Sequence, residues 1–393
     1  MIKLIQSTFY KEQSTRKKLI NFISRAGKLS FGRQCERFER NFAEWQGRKQ
    51  AVMLNSGSSA NLAVIQALLN LGKVRPGDLV GFSSLTWSTN VMPLIQLGLQ
   101  AIPVDVELNT LNVSSRMLLK TLKRYPIRML FLTNLLGFCD DIDTISNICR
   151  EKKILLIEDN CEALGTVYKG KKLGNWGYAS TFSFYVGHHM STIEGGAAAT
   201  DDEDFATMLQ IVRAHGWDRN LTFTKQIKIR NQYKVNSTFY SRYTFYDSGY
   251  NLRSTEINGF LGNVQLSYLD EIIGKRRNNF FRMAIPIYNQ TSYYYPIQFN
   301  HLDLISNFAV PVICRTQEIR DKLVKRCEGV LEIRPVVGGD MTKQPFYYKY
   351  MKKYAEEFKD SNANLIHRQG LYFGNNPELT PPQMNRIIRI FSF

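Results

Sequence analysis

From Ala51 to Asp159 short apolar runs alternate with longer amphipathic stretches, and this rhythm limits the fold more than any other feature of the chain. AVMLN leads into ANLAVIQALLNLG. The turn RPGD at 75–78 precedes LVGFSS, and then WSTNVMPLIQLG, AIPVDV, SSRMLLKTLKR, IRMLFLTNL, DIDTISNICREKK and ILLIED follow in order. Short apolar runs bounded by turn residues read as buried strands, and apolar residues three and four apart read as helices. Strands joined through helices pair mostly in parallel, and such a sheet must be covered on both faces. The expected class is α/β, with a mixed, mostly parallel sheet.

Two amphipathic stretches, STRKKLINFISRAG and RQCERFERNFAEWQ, precede this region as helices. After Asp159 the rhythm loosens. YASTFSF and GGAAATD read as strands flanking a loop that carries His188 and His189, and DEDFATMLQIVRAHG reads as a helix. Residues 217–250 are polar and aromatic without a period, and read as one long loop. STEINGFLGNVQLSYLDEIIGKRRNNFFRMAIPIYNQ reads as a long helix, bent near Ile273-Gly274. The remainder mixes strands (NFAVPVIC, VLEIRPV, GLYFG) with helices (TQEIRDKLVKRC, ANLIHRQ and one near PPQMNRIIRI), as a smaller α+β unit would. The expected division is a large domain over 1–270 and a small C-terminal domain over 271–393.

Composition narrows the function classes. No run approaches the roughly 18 to 20 apolar residues of a membrane helix, and the start MIKLIQSTFYKEQSTRKK has no apolar signal core. The six cysteines are scattered and form no CxxC pair, so neither a zinc site nor a disulfide framework is expected. A cytoplasmic protein follows, with no membrane partner. The net charge of +17 suits polyanions or phosphorylated ligands, or is an ordinary basic surface. No nucleic-acid motif accompanies it, so no nucleic acid is expected as a partner.

Several residues could carry chemistry. Ser56-Gly57-Ser58-Ser59 opens a helix, where backbone N–H groups and the helix dipole suit a phosphate, although serine is also a common cap. Asp159 ends a strand at the edge where α/β sheets bind ligands, and could pair with a ring nitrogen or cap the next segment. Trp87 could stack on a flat ring or fill the core. One of His188 and His189 could serve as a base. Neighbours in sequence diverge on regular backbone, so joint metal ligation is not expected, and no metal motif such as HExxH occurs.

Taken together, Ser56-Gly57-Ser58, EDNCEALG at 158–165, STFSF with its reactive position four residues on, EGG, GYNLR at 249–253, IRPVVGGD and GLYFGNNPEL resemble the DegT/DnrJ/EryC1/StrS sugar aminotransferases over most of the chain. The resemblance implies the aspartate-aminotransferase architecture (fold type I of pyridoxal phosphate enzymes) and a homodimer. It departs at the decisive place. Where the aminotransferases carry the Schiff-base lysine stands His188, and an imidazole lacks the two protons that imine formation consumes. Tyr185 and Glu162 also differ from the usual His and Gln. The pattern FSFxxxHH with EGG is similar instead to the sugar 3-dehydratase branch. That branch includes a member with an iron–sulfur cluster held by grouped cysteines, a group this chain lacks, so no iron–sulfur cluster is expected.

The resemblance implies that Gly57, Ser58 and Ser183 bind the phosphate of pyridoxal 5′-phosphate or pyridoxamine 5′-phosphate. Asp159 would pair with the ring nitrogen and Trp87 would stack on the ring, with Glu162 and His215 near it. Asn251 would reach the phosphate in the partner subunit, so the active sites would be shared. Arg219, Arg253 and Glu332 would touch sugar or co-substrate. His188 would be the base in a 3-dehydration of a nucleotide-linked 4-keto-6-deoxyhexose, the GDP-linked manno sugar being the expected substrate, with L-glutamate as amino donor. A nucleotide-sugar aminotransferase with an unusual base and a non-catalytic cofactor-binding protein are the alternatives.

Overall fold

The computed structural model describes residues 1–393. In chain order the strands of the N-terminal part are β1 (Gln50–Leu54), β2 (Leu79–Ser83), β3 (Gln100–Val104), β4 (Met129–Thr133) and β5 (Leu155–Asp159). A small hairpin, β6 (Val167–Tyr168) with β7 (Lys171–Lys172), comes next, then β8 (Ala179–Ser183) and β9 (Gly196–Thr200). Seven of these make one sheet in the order β1-β9-β8-β5-β4-β2-β3. Every pairing from β3 across to β8 is parallel, and β9 alone runs against its two neighbours. The carboxyl ends of β4 and β5 are in register, with Thr133 beside Asp159, and β8 runs two residues further, Thr181 lying beside Asp159.

The strands are buried almost throughout, β4 at every position, because helices cover both faces. The helix Gly57–Asn70 is apolar on most of its circumference. It packs Ala60, Val64 and Leu68 with Phe205, Leu209 and Val212 of the helix Glu203–Arg213 over one face. Beneath the end of β8, Phe182 and Phe184 meet Phe42 edge-on at centroid distances of 5.0 and 5.2 Å. Such edge-to-face packing fixes where the following turn begins.

Four further strands, β10 (Tyr294–Tyr295), β11 (Ala309–Cys314), β12 (Ile333–Pro335) and β13 (Gly370–Gly374), form an antiparallel sheet in the order β10-β11-β13-β12. One apolar core joins the two sheets, from Leu130 and Leu132 of β4 through Phe280 and Met283 to Val310 and Phe373. The fold is therefore the expected α/β architecture with a smaller antiparallel C-terminal sheet. No helix is long and apolar enough to cross a membrane.

Four local expectations need correction. The long helix is interrupted at Ser267-Tyr268, not at Ile273-Gly274: it forms Glu256–Leu266 and Leu269–Tyr288. Ser267 stops the first helix by bonding its hydroxyl to the Val264 carbonyl at 2.7 Å. Gly274 lies inside the second with open space around it, where buried Ile272, Ile273 and Arg276 outweigh its weak propensity. Residues 217–250 are not all loop, since Phe223–Gln232 is helical. WSTNVMPLIQLG forms a 3₁₀ turn, Ser88–Asn90, and a short helix, Met92–Gln96, instead of one helix. Pro345–Glu357 is a helix that the pattern did not reveal, kinked at Met351.

Candidate active site

The parallel strands deliver their carboxyl ends to one edge of the sheet, and a cavity of about 330 Å³ opens there. Gly57 and Ser58 arrive from β1, Trp87 from β2, Asp159 and Glu162 from β5, and Ser183 and His188 from β8. Seven of the residues singled out in the sequence thus line a single cavity. The second sheet and its approach close the cavity with Phe308, Val337 and Tyr372.

Gly57 is required by close approach. A Cβ there would lie 2.7 Å from Ser183 Cβ and 2.9 Å from Cys161 Sγ. Without one, the first turn of a 14-residue helix reaches the end of β8 and presents its N-terminal N–H groups to the cavity. Ser56 caps the helix, its Oγ accepting from Ser59 N at 3.0 Å. Gly196 serves the same approach from the other side, since a Cβ there would meet Ser56 O at 2.3 Å. This is the physical need behind the second glycine of EGG.

Asp159 is aimed by three neutral donors. Asn61 and Asn90 donate to Oδ2 at 3.0 and 2.6 Å, and Cys161 N donates to Oδ1 at 2.8 Å. No cation pairs with it, so its charge is oriented but left for a ligand. Thr86 in turn donates to Asn90 Oδ1 at 3.0 Å. Glu162 accepts one bond, from Leu136 N to Oε2 at 2.9 Å. Burial, with a smaller contribution from the charge of Asp159, pushes its carboxyl up to about 8, so it is protonated at neutral pH.

His188 sits in the turn after β8, its N–H donating to Tyr185 O at 2.9 Å. Tyr185 and Phe308 flank the ring at 5.8 and 5.1 Å. Nδ1 is buried without a partner, which leaves Nε2 as the nitrogen that meets the cavity. Burial, then the nearby Arg276 guanidinium, pushes the imidazole down to about 4, so it is neutral and able to accept a proton. His189 is buried and does not line the cavity.

The remaining residues lie elsewhere in the chain. Arg219, Asn251 and Arg253 line a second, open cleft with Lys28, Phe31 and Trp217. The guanidinium of Arg219 lies 4.1 Å from the Trp217 ring centre and that of Arg253 5.6 Å, and Arg253 Nε donates to Asn251 Oδ1 at 3.1 Å. His215 belongs to this group, 3.5 Å from Arg253 Nη2, and does not line the first cavity. Glu332 lines neither. It accepts from Leu4 N at 3.0 Å and pairs with Arg334, and so pins the segment whose Leu4 does line the cavity. Sequence reasoning missed Asn61, Asn90, Tyr372 and Arg276. Asn61 alone had a signal, one helical turn after Gly57.

The cavity fits pyridoxal phosphate on its own terms. A glycine-dependent helix N-terminus suits a phosphate, an unpaired buried aspartate suits a pyridinium nitrogen, and Trp87, 53% exposed at the mouth, offers a free aromatic face.

Comparison with known proteins agrees. The sequence profile of the DegT/DnrJ/EryC1/StrS aminotransferase family matches residues 11–392. A GDP-4-keto-6-deoxy-D-mannose 3-dehydratase of Yersinia pseudotuberculosis is 33% identical over 379 residues, 95% of each chain. Two solved structures of GDP-4-keto-6-deoxymannose 3-dehydratase superpose with a TM-score of 0.87 at 29% identity, covering all of both chains. One is a histidine-to-asparagine variant with bound GDP-perosamine, and the other holds a trapped adduct of pyridoxal phosphate with glutamate.

Proposed function

Because this chain belongs to the DegT/DnrJ/EryC1/StrS aminotransferase family, and is a pyridoxal-phosphate-dependent sugar dehydratase of the carbon–oxygen lyase type, we propose that it removes the C3 hydroxyl of GDP-4-keto-6-deoxy-D-mannose. Glutamate is the amino donor, and the cofactor works in its pyridoxamine form without an iron–sulfur cluster. The products are the 4-keto-3,6-dideoxy sugar, 2-oxoglutarate and ammonia. The setting is dideoxysugar synthesis in the cytoplasm, by a homodimer whose chains divide at residue 270. The observation that carries the reading is His188, a neutral imidazole where the aminotransferases have a Schiff-base lysine.

The cofactor, when bound, supplies an amine for the C4 ketone and a ring that takes up an electron pair. The chain supplies the rest. Gly57, Ser58 and Ser183 would seat the phosphate, and Asp159, held by Asn61 and Asn90, would face the ring nitrogen. Trp87 would cover the ring at the mouth. His188 would take a proton through Nε2 at the cofactor's C4′ position and hold it close to the departing C3 oxygen. A lysine could do the same but would also bond covalently, which favours amination. Histidine keeps the base and removes that route. Asn251, Arg219 and Arg253 line a cleft apart from the cavity, with His215 beside Arg253, which supports a role for them in the partner's site.

Mass spectrometry of products decides the reading. With glutamate and a panel of GDP- and CDP-linked 4-keto-6-deoxyhexoses, the purified protein should release ammonia and deoxygenated ketosugar in equal amounts from the GDP-linked manno substrate. A stable 4-amino sugar that keeps its C3 oxygen would make it an aminotransferase instead.

A further inference from the structure

We propose that Arg276 is the positioning residue for His188: its guanidinium fixes the turn that carries the imidazole and sets an unneutralised positive charge behind it. The inference rests on the base role proposed for His188. Arg276 lies in the helix Leu269–Tyr288, in the run GKRRNN, where sequence suggests a solvated charge, yet it is 5% exposed. Its Nη2 donates to His188 O at 2.9 Å, and its Nη1 donates to Asn375 O and, at 3.4 Å, to Phe308 O. One side chain therefore ties the turn after β8 to the start of β11 and the end of β13.

The chain's ion pairs do not include Arg276. A buried guanidinium answered only by carbonyl dipoles is expensive, and such groups usually find a carboxylate. The other groups around His188 are Tyr185, His189 and Glu194 on its own loop, Asp159, Cys161 and Glu162 from the end of β5, and Tyr372 from β13. Among the charges, Arg276 is the one that acts on the imidazole, in the same direction as burial. Both keep it neutral. An imidazolium formed beside Arg276 would also be a stronger acid than an ordinary one, and so readier to return its proton.

The chain has only five histidines, so ring-labelled histidine in the holoprotein can be titrated by NMR, with His188→Asn assigning the resonance. The wild-type His188 ring should stay neutral at pH 5.5. Arg276→Met should raise its titration midpoint by about one unit or more and lower kcat by about tenfold or more, with KM for the nucleotide sugar little changed. Arg276→Lys, which keeps the charge but not the three-carbonyl grip, should keep the low midpoint and recover part of kcat. A midpoint unmoved in Arg276→Met overturns the proposal. If Arg276→Met does not fold, the wild type and Arg276→Lys decide: a wild-type ring titrating near its ordinary value, or an Arg276→Lys kcat equal to wild type, overturns it. Turnover surviving in His188→Asn would sink the base reading alone, since the midpoint shift is read on His188 without turnover.

Discussion

The cavity at the sheet edge and the segment over residues 217–250 are opposite kinds of surface. In the cavity, polar groups are buried and answered within one chain: Asp159 has three donors, Glu162 one, and Ser56 caps its helix. The segment has Arg219, Lys225, Lys228, Arg230, Lys234 and Arg242, with no acidic residue between Asp218 and Asp247. Its helix Phe223–Gln232 buries nothing, and Phe223, Phe239, Tyr240 and Tyr243 are each at least 70% exposed. A site organised for chemistry has its dipoles fixed before the ligand arrives. Lys225, Lys228 and Arg230 have carboxylate partners within the chain, but aromatic rings turned to solvent have their contacts still to make. The comparison predicts that substitutions in the cavity act within one chain, whereas those around the open cleft act across two.

The largest effect belongs to His188→Asn. The seat proposed for phosphate and ring lies on other residues, so cofactor binding should survive while turnover falls by about 100- to 10,000-fold, the usual contribution of a general base. In the wild type the acid limb of activity should lie near pH 4, well below that of an ordinary histidine near 6.5, because the imidazole is pushed down to about 4. A limb near 6.5 would mean that the ring is hydrated and the cavity less enclosed than described.

Glu162→Gln tests the enclosure from the other side. The folded carboxyl titrates at about 8 against 4.5 for an ordinary glutamate. The folded state therefore holds a proton that the unfolded chain releases, and wild-type stability falls as pH rises from 4.5 through 8. Glutamine removes that dependence. The variant should match wild type near pH 4.5 and exceed it by a few kcal/mol at pH 9, as measured by denaturant unfolding. Parallel stability curves across that range would show that Glu162 is solvated.

Gly57→Ala should cost about 1–3 kcal/mol of stability by overpacking, because the new Cβ meets Ser183 and Cys161. It should also weaken the phosphate seat, so cofactor titrated spectroscopically should bind about tenfold or more weakly. Unchanged affinity would place the phosphate elsewhere in the cavity.

The two regions also differed in how legible they were. β1 to β5 were readable because buried parallel strands are continuous apolar runs between turn signals, and the cavity residues followed from strand ends. The helix Phe223–Gln232 was not, because a helix that buries no residue in its own chain has no reason to show an apolar stripe. Arg276 was invisible for a related reason. Its neighbours Lys275 and Arg277 are less buried, and nothing in GKRRNN marks the one arginine that turns inward. Asn90 was missed because its work is on Asp159, and sequence spacing does not report a contact between a turn and the end of a distant strand; Asn61, one helical turn after Gly57, carried a signal that went unread. His188 was the most informative residue in the chain, yet its neutral state comes from burial first and then from Arg276, 88 residues away, and neither shows in its local sequence.

The smallest expected effect is the one that most directly separates the regions. Asn251 lines the open cleft with Arg219 and Arg253 while His188 lines the cavity. If each active site takes His188 from one chain and Asn251 from its partner, then Asn251→Ala and His188→Asn homodimers are both impaired, but a mixed dimer has one intact site. Random reassortment makes about half of the dimers mixed, each with one working site in two, so equal mixing should restore about a quarter of wild-type activity. The recovery should appear only after the chains have exchanged, as native mass spectrometry of the mixed dimer can verify. Independent sites give no recovery however long exchange proceeds. Confirmed mixed dimers without activity would therefore confine the catalytic machinery to one chain, with Asn251 acting on the site of its own chain.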